Sequence, residues 1–168
     1  YHAITPIDVV AVNLYPFGAT VANPDVSLAD ALENIDIGGP AMIRAAAKNF
    51  PGVVVVTDPA DYPAILADLG TGEVGPERRQ QLSAKAFAHT AAYDAVVSEF
   101  LREASEWPVE LSVAGRHERT VRYGENPQQR GAAYRRVRAG APASGVLDAV
   151  QLAGKELSFN NLLDADAA

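Results

Sequence analysis

Along the chain, short unbroken apolar runs alternate with stretches whose apolar residues recur every three or four positions. Asp8–Leu14 (D-V-V-A-V-N-L) and Val53–Thr57 (V-V-V-V-T) are runs of the first kind. Valine-rich and without polar alternation, they suit strands buried on both faces of a parallel sheet. Asp58-Pro59 stops the second run. Ser27-Leu28-Ala29-Asp30 opens a helix, with Ser27 as N-cap and Asp30 at the capping-box position. Another helix is expected over Asp61–Leu69, then a glycine loop at Gly70–Gly75. Pro76–Ala104 is the longest helical pattern: Leu82, Ala86, Tyr93, Val96, Val97, Phe100 and Leu101 fall on or near one stripe. His89 and Arg102 sit on this helix as surface or boundary residues. Strands alternating with helices predict a doubly wound α/β layer.

The pattern changes after Trp107-Pro108. Glu110–Val113 and Glu118–Val121 read as extended, with Ala114-Gly115 between them as a turn or a domain joint. Arg122-Tyr123-Gly124-Glu125-Asn126-Pro127-Gln128-Gln129 is dense in turn formers and hydrogen-bonding groups. Arginine offers a planar fork for phosphate or carboxylate and tyrosine a ring to stack on a base, although an exposed turn between strands has the same composition. Ala132–Val137 reads as a strand and Ala139–Gly145 as a loop of small residues. Gly154–Asn161 leads into a helix beginning near Leu162, where Ser158, Asn160 and Asn161 serve equally as caps or as ligand contacts.

The stretch Asn34–Asn49 (N-I-D-I-G-G-P-A-M-I-R-A-A-A-K-N) carries the clearest candidate chemistry. Pro40 fits a first helical position, where its missing N–H has no intrahelical partner, and Gly39 then reads as the N-cap. Asp36 lies just outside the helix start and Lys48 at its far end. From Pro40 to Lys48 the axis rises about 12 Å, and side chains lean back toward the N-terminus. Asp36, the free N–H groups of the first turn and the Lys48 ammonium could then bracket a ligand of nucleobase size. The same residues also fit a plain βα loop with a solvated aspartate and a lysine favoured by the helix dipole. Asn13 and Tyr15 follow the first strand, at the carboxyl end where open α/β sheets bind ligands; Tyr15 also fits a packed aromatic with its hydroxyl in water.

Composition narrows the field. With 168 residues, 48% of them apolar, the chain can bury a sizeable core. A net charge of −7 argues against nucleic acid as a partner. The absence of cysteine excludes disulfides and thiolate metal sites and is compatible with the cytoplasm. His2, His89 and His117 show no metal-ligand spacing, so no metal is expected. No apolar run approaches the roughly 18 residues of a membrane span and no signal peptide opens the chain. The first residue is not Met, and D-A-D-A-A stops without a helix-ending signal, so both ends read as cut.

Taken in order, N-L-Y-P-F, I-D-I-G-G-P with R-A-A-A-K-N, R-Y-G-E-N-P-x-Q and G-K-E-L-S-F-N-N-L-L-D-A-D-A-A resemble the bifunctional aminoimidazole carboxamide ribonucleotide (AICAR) transformylase / IMP cyclohydrolase family of purine biosynthesis. The resemblance covers nearly the whole chain. It implies that residues 1–113 are the C-terminal part of a cyclohydrolase domain, a three-layer α/β/α fold like methylglyoxal synthase and incomplete at its N-terminus. Residues 114–168 would be the start of a mixed α/β transformylase domain. The implied activity is formyl transfer from formyltetrahydrofolate, a co-substrate, to AICAR, followed by cyclodehydration of formyl-AICAR to IMP. The cyclohydrolase step would need no cofactor. A cytoplasmic homodimer acting on small nucleotides is implied with it, without nucleic acid or membrane.

Residue by residue, the resemblance makes Tyr15, Asp36 and Lys48 the ring-closure residues, with Val12, Asn13, Asp36, Ile37, Gly38 and Gly39 around the nucleotide. Backbone N–H groups near Gly38 and Gly39 could hold a developing oxyanion. Arg122, Tyr123 and Asn161 match AICAR contacts of the transformylase. Two positions depart from the family pattern: Gln128 stands where histidine is common, and Phe159 where tyrosine is common. Glutamine cannot exchange protons near neutrality. An upstream Lys-Thr-Leu-His-Pro stretch and a downstream Lys-His pair of the family do not occur, so the isolated segment is expected to be inactive. A rival from another class is a nucleotide-binding regulatory module of the same fold without catalysis; another is a folded scaffold remnant completed by partner chains.

Overall fold

Four consecutive valines, Val53–Val56, form the innermost piece of the chain. Strand β2 (Val54–Val56) is buried at every position, as expected for a β-branched run covered on both faces. Strand β1 (Val9–Ala11) pairs with it in parallel, Val9 opposite Val54 and Ala11 opposite Val56. Contrary to the sequence expectation, β1 is not buried on both faces. Val9 and Ala11 are exposed and only Val10 is half-buried. The computed structural model describes residues 4–102, 107–140 and 144–168. The predicted helix end at Glu103-Ala104, His2 and part of the small-residue loop lie outside these residues.

Three helices connect the two strands: α1 (Phe17–Val21), α2 (Leu28–Glu33) and α3 (Gly38–Lys48). Helix α1, absent from the sequence reading, forms where Pro16 takes the N-cap position and Phe17 is buried. Phe17 meets Tyr93 and Phe100 edge-on, with ring centroids 6.2 and 5.5 Å apart. Ser27 caps α2 as expected, accepting from the Asp30 N–H at 3.1 Å. After β2 come a 3-10 turn (Pro59–Asp61), α4 (Tyr62–Thr71) and the long α5 (Pro76–Leu101). Ile43, Ala46 and Ala47 of α3, the valines of β2, Ile65 of α4 and Leu82 and Ala86 of α5 form one core. The alanines let α3 and α5 approach closely around β2.

Strands β3 (Ala114–Val121) and β4 (Gly131–Val137) make an antiparallel hairpin with a bulge between His117 and Arg119. Ala114 and Gly115 pair with Val137 and Arg136, so they are strand residues and not a turn. Glu110–Val113, expected to be extended, takes part in no strand. A free edge of polar residues on β3 explains why pattern alone misplaced its start. Val137 and Ala139 pack against the Phe17, Val96 and Phe100 cluster, and Arg136 pairs with Glu99 of α5 at 2.8 Å. Helix α6 (Phe159–Ala167) starts three residues before the expected Leu162. Together these elements form a mixed α/β structure, with no helix long and apolar enough to cross a membrane among the described residues.

Candidate functional site

The start of α3 is built around the Asp36 carboxylate. Its Oδ1 accepts the Gly39 N–H at 2.7 Å and its Oδ2 the Tyr15 N–H at 3.2 Å. One side chain therefore satisfies an orphan donor of the helix's first turn and ties down the loop that leaves β1. Gly39 is not the N-cap: that position is Ile37, and the capping oxygen belongs to Asp36. Glycine is required at 39 by space. A Cβ there would lie 2.6 Å from Asp36 Oδ2, 2.8 Å from Oδ1 and 2.7 Å from Leu14 Cδ2. Because the Gly39 N–H is already taken, Gly38 is the donor of the pair not held by Asp36, which narrows the expected oxyanion contact to Gly38.

Helix α5 completes this corner. The Asp36 N–H donates to Tyr93 Oη at 2.8 Å, and the Tyr93 hydroxyl reaches back to the Asn34 carbonyl at 3.4 Å. Burial pushes the Tyr93 phenol up from its ordinary value, so it stays protonated and remains a donor. Sequence pattern had marked Tyr93 only as part of an apolar stripe. A tyrosine, unlike leucine, brings a hydroxyl that needs a partner when buried, and that was the available signal.

Lys48 stands apart. It lies on the exposed face of α3, about 15 Å along the axis from Gly38, and it makes no ion pair with Asp36 among the described residues. The structure therefore brings Asp36, Gly38, Gly39 and the Tyr15 backbone together, with Leu14 against them. It leaves Lys48 at the other end of the helix. Val12 continues the ladder one residue past β1, donating to Val56 O at 3.0 Å, and exposed Asn13 follows it. Tyr15 and Ile37 present exposed side chains, 56% and 77% accessible, beside the Asp36 cradle. Open access to a tyrosine ring and to the cradle suits a planar ligand.

A second constellation forms where the hairpin meets α6. The Arg122 N–H donates to Leu157 O and the Phe159 N–H to Tyr123 O, each at 3.0 Å. Asn160 Nδ2 donates to Glu125 O at 3.1 Å. These bonds lay the R-Y-G-E segment alongside the S-F-N-N segment, distant in sequence. Arg122 lies 4.8 Å above the Tyr123 ring and donates to its hydroxyl at 3.2 Å, so the two side chains present one fork-and-ring surface. Asn161 caps: its Oδ1 accepts from the Ser158 N–H and hydroxyl at 3.1 and 3.0 Å. Capping occupies the oxygen and leaves its amide NH₂ outward. Gln129 closes the loop, its Oε1 accepting the Asn126 N–H at 2.8 Å, while Gln128 is exposed. Phe159 is 45% exposed.

A cavity of about 730 Å³ lies between β4, a 3-10 turn at Val146–Asp148 and α6. It includes none of the predicted site residues. Two arginines on its wall are already paired, Arg135 with Glu118 and Asp148, and Arg136 with Glu99. Size alone does not make it the site. No group of three His, Cys, Asp or Glu residues is placed to hold a metal among the described residues.

Comparison with known proteins supplies the frame for both constellations. The chain is 56% identical over 168 residues to the bifunctional purine biosynthesis protein PurH of Shouchella clausii, covering 98% of this chain and 32% of that protein. It is 53% identical over 170 residues to the PurH of Halalkalibacterium halodurans, covering 99% of this chain and 33% of that protein. The chain thus spans about a third of the length of these relatives. A solved structure, "Crystal structure of ForH", overlaps 55% of this chain and 48% of its own at 42% identity, with a TM-score of 0.48. The family profile described as "AICARFT/IMPCHase bienzyme" matches residues 46–168, and with relatives this similar along the whole chain, the protein belongs to the AICARFT/IMPCHase bienzyme family.

Proposed function

We propose that this chain is the middle of a bifunctional enzyme of purine biosynthesis. It would transfer a formyl group from formyltetrahydrofolate to AICAR and then close formyl-AICAR to IMP. Residues 1–113 contribute to the cyclohydrolase site, in a domain layered like methylglyoxal synthase, and residues 114–168 begin the transformylase domain. The enzyme acts in the cytoplasm, as a homodimer. By themselves these 168 residues have neither activity, because the remaining two thirds of the relatives' length contributes to both sites. The observation that carries the proposal is the Asp36 cradle: a carboxylate fixed by two backbone N–H groups, with an exposed tyrosine beside it, at the carboxyl end of a parallel strand pair.

Ring closure needs little else. The carboxamide nitrogen of formyl-AICAR attacks the formyl carbon, a C–N bond forms, and the former formyl oxygen leaves as water. The carboxamide nitrogen loses one proton as the C–N bond forms and the formamido nitrogen loses the second as the C–O bond breaks and the C=N bond forms; the former formyl oxygen gains both. Asp36 and Tyr15 are suited to those transfers from the cradle, and the Gly38 N–H faces the region where negative charge develops on oxygen. Lys48 is reached by a substrate extending along the exposed face of α3, toward which its flexible side chain leans back. For formyl transfer, the Arg122 fork and Tyr123 ring hold the phosphate and base of AICAR, and the outward Asn161 amide supplies a donor.

The test is Asp36→Ala in the full-length protein. Ring closure should fall by roughly 10²–10⁴-fold, the range for loss of an acid–base group, while formyl transfer continues. Normal IMP formation by the variant would overturn the cyclohydrolase reading.

A further inference from the structure

Helix α5 directs two polar side chains at α3, one at each end. Near the α3 C-terminus, buried Ser83 donates its hydroxyl to the Ala47 carbonyl at 2.7 Å, next to Lys48. Before the N-terminus, Tyr93 Oη accepts the Asp36 N–H at 2.8 Å. Ser83 and Tyr93 are separated along α5 by about 15 Å of rise, the same as from Gly38 to Lys48 along α3. The earlier residue of α5 meets the later end of α3, so the two helices run antiparallel and each contact anchors a different terminus. Between the anchors the contact surface is built mainly from the apolar Ile43, Ala46 and Ala86, with Arg44 of α3 lying 5.5 Å over the Phe87 ring of α5. Apolar packing alone resists sliding weakly, because small side chains of similar size leave neighbouring registers comparable. The two directional bonds remove that freedom.

We propose that α5 is the positioning element of the ring-closure site. Tyr93 sets where the Asp36 peptide and its carboxylate stand, and Ser83 sets the last turn that carries Lys48. This rests on the cyclohydrolase reading given above. Neither residue touches substrate: Ser83 is buried, and Tyr93 is held between the Asn34 carbonyl, the Asp36 N–H and the Phe17 ring. Tyr93→Phe keeps the ring and its edge-on packing but leaves the Asp36 N–H without its acceptor. The peptide then turns toward water, and the carboxylate moves with it. Displacements of about 1 Å at a reacting group can cost up to 10²-fold in rate.

The experiment compares full-length Tyr93→Phe, Asp36→Ala and the double variant, with formyl transfer assayed alongside ring closure. Tyr93→Phe should lower kcat for ring closure about 10-fold or more, with formyl transfer unchanged. KM for formyl-AICAR should move less than about twofold, since a residue that only positions the reacting group leaves binding of the rest of the nucleotide in place. In the Asp36→Ala background the tyrosine substitution should have no further effect, because the group it positions is gone. An unchanged kcat in Tyr93→Phe, or the same loss in both backgrounds, would overturn the positioning role while leaving the cyclohydrolase reading intact. If Asp36→Ala itself closes the ring normally, the cyclohydrolase reading fails and this proposal falls with it. Ser83→Ala, which deletes one buried oxygen, is the companion variant should Tyr93→Phe not fold. It should lower kcat in the same way, and an unchanged kcat would count against the proposal.

Discussion

Gly39→Ala and Gly38→Ala, adjacent substitutions of the same chemistry, should have opposite signs. Both glycines lie in the first turn of α3, where alanine's helix propensity favours the change by up to about 1 kcal/mol. A Cβ on Gly38 meets nothing within 4 Å, so Gly38→Ala should be neutral or stabilising by that amount. At Gly39 the new methyl would stand 2.6 and 2.8 Å from the two Asp36 carboxylate oxygens and 2.7 Å from Leu14 Cδ2. All three distances are too short to persist. The carboxylate cannot simply swing away, because its oxygens already accept the Gly39 and Tyr15 N–H groups. Losing a hydrogen bond to a charged group costs about 1.5–3 kcal/mol, and overpacking adds about 1–3 kcal/mol. After the propensity gain, Gly39→Ala should destabilise by roughly 1.5–5 kcal/mol. The assay is urea denaturation of both variants beside the parent, reading the midpoint shift at constant slope. If Gly39→Ala proves as stable as Gly38→Ala, the Asp36 cradle does not hold α3 in place.

Arg122→Ala should weaken AICAR binding and slow formyl transfer with ring closure near normal. If only ring closure suffered, the boundary proposed at residue 113 would be wrong. Ser158→Ala removes the buried hydroxyl that accepts the Asn161 N–H and donates to its Oδ1, and should cost about 1 kcal/mol. Urea midpoints would show it, and an unshifted midpoint would mean that the capping box contributes nothing. Burial, followed by the nearby Arg116 charge, holds the His89 imidazole below its ordinary value of 6.5, and its Nε2 is buried without a partner among the described residues. Below that value the unfolded chain takes up a proton that the folded protein resists. Stability should therefore be present above pH 6.5 and decline as pH falls below it. His89→Gln should flatten the decline, and an identical slope in both proteins would show that His89 does not titrate on unfolding.

Local rules made much of this protein legible without coordinates. Unbroken valines mark strands, Ser27 and Ser158 mark helix starts, and a long stripe marks α5, because each signal depends only on neighbours within a turn or a pleat. Four polar motifs in fixed order also pointed to the family. The sequence could not show that β1 would keep an exposed face, since burial of a strand depends on which other elements cover it. Nor could it show that Ala114-Gly115 would pair as strand, because pairing partners come from elsewhere in the chain. The same applies to the site. Asp36 was visible as an acid before a helix, but its bonds to Tyr15, Gly39 and Tyr93 join three separate segments. Bracketing by Asp36 and Lys48 is a local inference from one helix, and the structure keeps the two at opposite ends of α3, as the sequence placed them. Arg122 and Tyr123 are far in sequence from Leu157 and Phe159, and the backbone bonds between them, with that of Asn160 to the Glu125 carbonyl, lay the two segments together. Short-range physical chemistry is written in the order of residues; the meeting of distant polar groups is decided by packing, where each buried donor must find an acceptor.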